Sequence, residues 1–522
     1  MEFDVVKSTK RNLIWSTILR LYRVLAPMFI RRVFIYRLGI EYSGLNGLFT
    51  SVLSFLNLAE MGTETAVVFF MYKPVQDGDV ETVRRLLGMV RKYYKYIGLF
   101  VLAAGLAVTP FINLLIEGDV PSDINIYIIF LMNLASTVIP YWLFAYRNTI
   151  LYVHMRNDLI SRTMIGGETL RYAGQLLVLF SFANYYLYLL VDIVTKIIER
   201  LISVFIADKK YPMYKIALKP TADMKSAFAK KIKALIFHKI GGVIVNSADP
   251  IIISAFLGLA ILGKYGNYQA IMTAVLGFVL LINTASQAGI GHLVAVNTPE
   301  ENAKLFRHYS FLIFAMSSVC CCCFLNLYQP VITLWINSSM LLGEDIVVLL
   351  CVYFYVFMVM VPGNIFENAS GLWHRDKYRP LLEGVLNLAM NLVLVRFIGL
   401  QGVLLSTILS MAFFSIPWLY HTVANGLLGG GFGSYIQTVL KYTGICAAMC
   451  LITYLLCRLV PEGTPLIVKT VISGSISFLL PVAILYLLYR KSENWKWMRG
   501  IARSMFKRAQ KERSINAENR LL

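Results

Sequence analysis

Charged residues are scarce in this sequence. Only 15% of its 522 residues are Asp, Glu, Lys or Arg, against roughly 25% in soluble globular domains, and the mean hydropathy is +0.65. This scarcity excludes an ordinary soluble enzyme. The 58% of residues that are apolar suffice for about fourteen segments of about 20 residues, the length that crosses a bilayer. The sequence therefore predicts an all-α polytopic membrane protein without a soluble domain.

Metal-binding and nucleotide-binding patterns are also lacking. The eight cysteines lie in apolar runs without His or carboxylates at ligand spacing, and consecutive residues such as Cys320–Cys323 point about 100° apart on a helix. Gly258–Tyr265 resembles a phosphate-binding loop, but Tyr265 stands where Ser or Thr would hold Mg²⁺. We therefore expect no metal and no cofactor. If the protein transports a substrate, we expect transport to be driven by a gradient of an ion such as Na⁺ or H⁺, by the membrane potential or by the substrate's own gradient.

The apolar segments are separated by charged or turn-rich breaks. We predict fourteen membrane-spanning helices, at 13–37, 45–72, 93–116, 125–150, 158–182, 185–207, 234–257, 265–293, 307–335, 346–370, 378–397, 401–424, 437–459 and 466–489.

The distribution of basic residues orients these helices. Lys209–Lys239 contains nine lysines and one acid, and Arg490–Arg520 contains ten Lys or Arg and three Glu. Residues 117–124 contain three acids and no Lys or Arg. Because cytoplasmic connections concentrate positive charge, both termini should be cytoplasmic, in agreement with an even number of spans. The net charge of +20 then indicates attraction to anionic membrane lipids, and no nucleic acid is expected as a partner.

A short motif occurs twice. Leu38 and Gly39, Gly44 and Gly47 have the spacing L-G-x4-G-x2-G, and it returns 219 residues later in Leu257–Gly266. We interpret the chain as two parallel six-helix repeats, an arrangement that places a substrate site near the midplane in transporters. The predicted parts are an N-terminal lobe (1–208), a basic linker (209–233), a C-terminal lobe (234–424), two further helices (425–489) and a basic tail (490–522).

Three arginines lie inside the first predicted span. Arg20, Arg23 and Arg31 fall within roughly an 80° arc of one helix face. Arg23 lies roughly 15 Å from the membrane surface if the helix enters near Leu13. A lipid-facing Arg at that depth costs at least about 2.5 kcal/mol, so a hydrated cavity or an anionic partner is expected. Arg31 is close enough to a surface for snorkelling to explain it instead.

Acidic residues on other spans are candidates for a coupling cation or for the cavity wall. They are Glu60, Glu64, Glu168 and Asp249. Two alternatives stay open: Glu168 and Arg171 neutralise each other, and Asp249 before Pro250 makes a polar contact beside a hinge. Glu367 and Glu383 fall near span ends, where water is expected within reach.

Two stretches resemble a known family. Leu38–Phe49 continuing through Leu56–Gly62, together with Asn246–Gly258, are similar to bacterial polysaccharide transporters. These are the O-antigen and exopolysaccharide flippases of the multidrug/oligosaccharidyl-lipid/polysaccharide exporter superfamily. The resemblance implies a V-shaped core of two lobes with two additional C-terminal helices, and transport by alternating access in the bacterial cytoplasmic membrane.

The resemblance also implies the substrate. An undecaprenyl-diphosphate-linked oligosaccharide needs a cationic cavity, and Arg20, Arg23 and Arg31 would bind its diphosphate through forked hydrogen bonds while Asn46 contacts sugar. Polysaccharide polymerase or assembly machinery would be a further partner. A cation-coupled multidrug or small-molecule exporter of the same superfamily is the alternative. A membrane polymerase or ligase is disfavoured, because such enzymes need a long outward loop, so we expect no enzyme.

Overall fold

The computed structural model describes residues 5–57, 63–118, 120–143, 145–461, 463–500 and 503. Between residues 5 and 489 they form fifteen α-helices, and this described part of the chain contains no β-strand. A short helix follows at 493–500. The helices α1 to α15 are Val5–Arg37, Ile40–Leu56, Thr63–Gln76, Val80–Val108, Ile126–Trp142, Asn148–Val153, Asn157–Ser181, Tyr185–Lys210, Ala222–Val296, Pro299–Trp335, Glu344–Ser370, Arg379–Leu409, Ile416–Leu427, Phe432–Arg458 and Leu466–Tyr489.

The helices confirm a polytopic membrane protein. Eight stretches of the described residues are long and apolar enough to cross a membrane, and two of these, Ser247–Thr284 and Arg379–Leu427, each include residues of two predicted segments. The other predicted segments are largely helical where they are described. Two of them, 158–182 and 185–207, each contain four charged residues. The number of fourteen crossings stays a prediction.

Glycines in a left-handed backbone conformation interrupt the long helices. Gly39 separates α1 from α2 with a φ of 120°, Gly258 breaks α9 with a φ of 83°, and Gly399 breaks α12 with a φ of 59°. Residues with a side chain are strained at such φ values, whereas glycine is not. Gly39 and Gly258 are the equivalent glycines of the predicted repeat, so the same turn occurs at both copies.

A reciprocal contact also relates the two copies. A Cβ atom on Gly44 would lie 2.0 Å from the carbonyl oxygen of Leu259, and one on Gly263 would lie 2.5 Å from the carbonyl oxygen of Ile40. Adding 219 to Gly44 gives Gly263, and adding 219 to Ile40 gives Leu259. The same backbone approach is therefore made twice with the roles of the copies exchanged, as two equivalent halves require.

Contacts divide the chain into two compact units. The first comprises Met1–Ala270 and Pro380–Val403, and the second comprises Ile271–Arg379 and Leu404–Leu522. In the first unit, α7 packs against α1 and α8, and α4 packs against α5. In the second, α10 packs against α11, α14 and α15. The predicted lobe and linker boundaries stay predictions.

Part of the predicted linker is held in place after α8. The Arg84 side chain donates from Nε to the carbonyl oxygen of Ile216 at 2.7 Å, and Arg147 donates from Nη1 to that of Tyr214 at 2.7 Å. A Cβ atom on Gly88 would lie 1.8 Å from the carbonyl oxygen of Leu218. The residues after α8 thus lie directly along α4, which needs a glycine at position 88.

Candidate functional site

Arg23 of α1 is paired with an acid of α7. Its Nε donates to Oε1 of Glu168 at 2.8 Å, and its Nη2 lies 3.4 Å from the Met164 sulfur. The Arg23 side chain is 48% exposed and that of Glu168 is 10% exposed. Glu168 therefore compensates much of the charge of Arg23, and the Nε donor of the Arg23 guanidinium is already in use.

Arg31 lies on the same side of α1 but contacts α9. Its Nε donates to Oδ1 of Asn267 at 2.6 Å, and its Nη2 donates to the carbonyl oxygen of Gly263 at 3.2 Å. A Cβ atom on residue 266 would lie 2.7 Å from Nη2, so Gly266 makes room for the guanidinium. Both acceptors are neutral, and the positive charge of Arg31 is thus solvated by the protein without being cancelled.

Arg20 and Asn46 keep their side chains free. Arg20 is half-buried and makes no ion pair with any residue that the structure describes. Asn46 is also half-buried, and only its backbone carbonyl is used, accepting from Oγ1 of Thr50 at 2.7 Å. Of the three predicted arginines, Arg20 therefore has the most donors available to a ligand.

The predicted acids are distributed over different environments. Glu60 lies outside the described residues, as does the side chain of Glu64. Glu168 is buried, and its Oε2 has no hydrogen-bond partner in the described part of the chain. Arg171, considered as its partner from the sequence, contacts Asp192 instead at 3.4 Å. Glu168 of α7 thus pairs with a residue of α1, and Arg171 of α7 pairs with a residue of α8.

Asp192 belongs to a half-buried polar group between α5, α7 and α8. Its Oδ2 lies 2.7 Å from Nζ of Lys196 and accepts a 2.6 Å hydrogen bond from Oγ of Ser136. Lys196 also donates to Ser136 Oγ at 2.7 Å. These contacts use most of the polar atoms of the cluster, and a structural role explains it.

Asp249 lies in a second polar cluster, with two asparagines of α12. Asn391 Nδ2 donates to Asp249 Oδ1 at 2.8 Å and contacts Oδ1 of Asn387 at 3.2 Å. Asp249 is 8% exposed and both asparagines are 0% exposed. Oδ1 of Asn391 has no partner among the described atoms. Oδ1 of Asp249 and Oδ1 of Asn387 thus both face Nδ2 of Asn391, and carboxylate and amide oxygens are the ligands of hard cations.

The two asparagines were not predicted as site residues, although their spacing in the sequence places them on one helix face. Asn387 and Asn391 are four residues apart in an apolar helix, so they share a face. Glu383, one turn earlier, is buried at 6% exposure, and the expectation that water lies within its reach is wrong. In the described residues, no group of three or more His, Cys, Asp or Glu side chains is arranged to hold a metal ion. A cation at Asp249 would therefore need the amide oxygens.

A large cavity lies within the second unit. Its volume is about 1330 Å³, and its wall comes from α10, α11 and α13 to α15. The lining is mostly apolar, and Glu344, Arg458 and Lys469 contribute charged groups. Arg458 pairs with Glu344 at 3.1 Å, which leaves Lys469 as surplus positive charge. The cavity offers an apolar space with a basic end.

The fold is shared with solved transporters. A lipid II flippase, MurJ, in an inward closed conformation superposes with a TM-score of 0.61 at 13% identity, covering 91% of this chain and 98% of MurJ. A multidrug resistance MATE family transporter of the MOP superfamily, in an inward-facing conformation, gives 0.58 at 11% identity over 81% of this chain and 99% of its own. The chain shares the fold of these two transporters.

This likeness confirms the fold that the resemblance predicted. The MATE transporter VcmN from Vibrio cholerae gives a TM-score of 0.53 at 15% identity, covering 83% of this chain and 99% of its own. No protein-family model matches the sequence, and no curated protein matches it. The shared fold is that of a multi-pass membrane protein.

Proposed function

We propose that this MOP-fold protein is a flippase for a lipid-linked oligosaccharide. Its substrate would be an undecaprenyl-diphosphate-linked oligosaccharide, moved by alternating access across the bacterial cytoplasmic membrane to supply surface polysaccharide synthesis. A polysaccharide polymerase or other assembly machinery would receive the product. Both termini would lie in the cytoplasm.

The uncompensated arginines of α1 carry the proposal. Arg20 has no acidic partner in the described part of the chain, and Arg31 contacts only neutral oxygens there. Unpaired positive charge inside a membrane helix is costly and is retained where a function needs it. A diphosphate matches this charge, because its oxygens accept forked hydrogen bonds from guanidinium groups. Arg23, half exposed beside Glu168, would act as a secondary contact.

The cavity of the second unit supports a lipid-linked substrate. A polyprenyl chain needs an apolar surface while its headgroup is moved, and the wall between α10, α11 and α14 is mostly apolar. The volume of about 1330 Å³ exceeds the roughly 300–1,000 Å³ of ordinary small-molecule pockets. A hydrocarbon chain is the kind of ligand that this cavity suits.

We further propose that Na⁺ or H⁺ drives transport through Asp249. The buried Asp249 carboxylate and Oδ1 of Asn387, which both accept from Nδ2 of Asn391, offer oxygens of the kind that bind a small hard cation. A charged ligand that binds one conformation more tightly than the other shifts the equilibrium between them. Cation binding at Asp249 would in this way supply the free energy for a transport cycle.

A multidrug or small-molecule exporter is the second candidate. One observation favours it: Oε2 of Glu168 is buried and has no partner in the described residues, and Glu199 interacts electrostatically with Glu168. Paired acids of this kind suit a cationic drug. An exporter would raise resistance to cationic drugs in cells and would not affect surface polysaccharide.

Replacement of Arg20 tests the flippase directly. Arg20→Ala in the full-length protein should abolish surface polysaccharide and leave lipid-linked oligosaccharide in the inner leaflet. One charge-assisted hydrogen bond contributes about 1.5–3 kcal/mol, so substrate affinity should fall roughly 10-fold to 100-fold. Arg20→Lys keeps the charge without the fork and should restore export only in part.

The matched control is Arg32→Ala. Arg32 lies on the same helix, is exposed and makes no ion pair within the described residues, so its loss should leave export unchanged. Protein level in the membrane is measured for each variant by immunoblotting. Wild-type export by Arg20→Ala at normal protein level would refute the role of Arg20, and drug resistance conferred by the wild-type protein would favour the exporter.

A further inference from the structure

The connection between α11 and α12 buries three charged side chains. Glu367 is 3% exposed, Asp376 is 2% exposed and Arg379 is 5% exposed. All three belong to the second unit and are separate from Asp249 in sequence and environment. The position of Glu367 near a span end predicted water within its reach, and this prediction is wrong, because Glu367 is buried beside the turn after α11.

One arginine serves both acids. Arg379 Nε donates to Oδ2 of Asp376 at 2.5 Å, and its Nη2 lies 3.6 Å from Oε2 of Glu367. Nη2 also lies 3.4 Å from Oδ1 of Asn364. One oxygen of each carboxyl group therefore contacts the guanidinium, and the other oxygen does not.

The remaining two oxygens have no partner. Oε1 of Glu367 and Oδ1 of Asp376 are buried and make no hydrogen bond to any atom that the structure describes. Both carboxyl groups contact the same guanidinium, which brings them close to each other. Two ionised carboxylates only accept hydrogen bonds, so they cannot satisfy each other unless one of them carries a proton.

The charge balance leads to the same requirement. Two carboxylates and one guanidinium leave one negative charge, and a buried uncompensated charge is strongly unfavourable. The elements packed against α11 carry further titratable groups. They are Glu300, Glu301, Lys304, Arg307 and His308 on α10, His421 on α13, and His374, Arg375 and Lys377 in the turn. In the described part of the chain, Arg379 is the basic residue that pairs with Glu367. One proton would neutralise the group.

We propose that Glu367 and Asp376 bind one proton between them and that this pair is a proton-binding site of the protein. The proton is held in a hydrogen bond between the two carboxyl groups, while Arg379 compensates the charge that remains. Its uptake and release would depend on whether the α11–α12 turn stays closed over Glu367. This proposal goes beyond the flippase proposal and requires neither a substrate nor a particular transport reaction.

The corresponding turn of the first unit has the opposite balance. Asp158, in the first turn of α7, is 1% exposed, and it pairs with Arg11 at 3.1 Å and with Arg156 at 2.8 Å. One acid faces two arginines there, so no proton is needed. The difference between the two turns lies in the side chains, and it makes the proton pair specific to the second unit.

Infrared spectroscopy on the full-length protein in nanodiscs tests the pair. The wild type at neutral pH should show the C=O stretch of a protonated carboxyl group, shifted in D₂O, which disappears reversibly at high pH. Glu367→Gln and, independently, Asp376→Asn should each remove this band. The control Glu344→Gln changes an exposed acid at the other end of α11 and should retain it.

Thermal unfolding provides a second measurement. The folded wild type would hold one proton more than the unfolded chain, so its stability should fall as the pH rises. The folding equilibrium constant should change tenfold for each pH unit over which only the folded state keeps the proton. Glu367→Gln should flatten this dependence, because the amide is a permanent donor. Absence of the band from the wild type, or its retention in both variants, would overturn the proposal.

Discussion

At the residue scale, two arginines on one face of α1 have different surroundings. Arg23 contacts a carboxylate and Arg31 contacts an amide and a backbone carbonyl. An ion pair reduces the charge available to a ligand, whereas neutral acceptors leave it in place. The arginines on the face predicted from helical periodicity therefore differ in whether an acid pairs with them. Arg20 and Arg31 are the better candidates for binding an anionic ligand.

Asp249 is the residue at which ion coupling can be tested. Asp249→Asn keeps the shape and the hydrogen bonding but removes the charge, so a cation should no longer bind. The wild type in detergent should be stabilised by Na⁺ relative to choline, by about 2.7 kcal/mol at a concentration 100 times the dissociation constant. Asp249→Asn should lose this thermal shift.

Asp77→Asn is the control, because Asp77 lies in an exposed turn. It should show the wild-type response to Na⁺. A wild type that responds to pH but not to Na⁺ would identify H⁺ as the ligand. An unchanged Na⁺ response in Asp249→Asn would contradict the assignment of the site.

At the element scale, close backbone contacts position α2 and the second part of α9. Gly44 and Gly263 each face a backbone carbonyl that a Cβ atom would approach to 2.0 and 2.5 Å. Backbone atoms cannot move aside as a flexible side chain can, so a larger residue must separate the helices. Sequence repetition indicated these glycines, and the reciprocal contact explains why both copies need them.

Gly44→Ala and Gly263→Ala should both destabilise the protein. Overpacking of a tight contact costs about 1–3 kcal/mol, and the melting temperature in detergent should fall in each variant. Gly47→Ala is the matched control, because its Cβ would have its nearest neighbour, the Leu262 side chain, at 3.9 Å. Equal melting temperatures for Gly44→Ala and Gly47→Ala would show that the contact can relax.

At the scale of the whole molecule, the predicted topology awaits a direct measurement. A green fluorescent protein fused after Leu522 should fluoresce, because the basic tail should remain in the cytoplasm. Alkaline phosphatase fused after Glu117 should be active, because that acidic connection should face outward. A phosphatase fusion after Leu522 that is active would contradict an even number of spans with both termini inside.

The helical segmentation of the chain was determined by the sequence alone. In lipid each segment must satisfy its backbone hydrogen bonds within itself, so the length and hydropathy of a local stretch predict a helix. The predicted segments are accordingly largely helical in the described residues, although 45–72 is divided between α2 and α3 and 125–150 between α5 and α6. Gly39 and Gly258 were likewise visible as a repeat, because the left-handed turn that they make is a local property of glycine.

Only the tertiary structure decided which polar groups meet. Arg23 and Glu168 are 145 positions apart, and Asn391 is 142 positions from Asp249. The contact of both Glu367 and Asp376 with Arg379 depends on the path of the turn after α11. Helical periodicity places a side chain on a face of its own helix, but the partner of that face depends on the packing of distant helices. The charged residues could therefore be identified from the sequence, whereas the residues that pair with them could not.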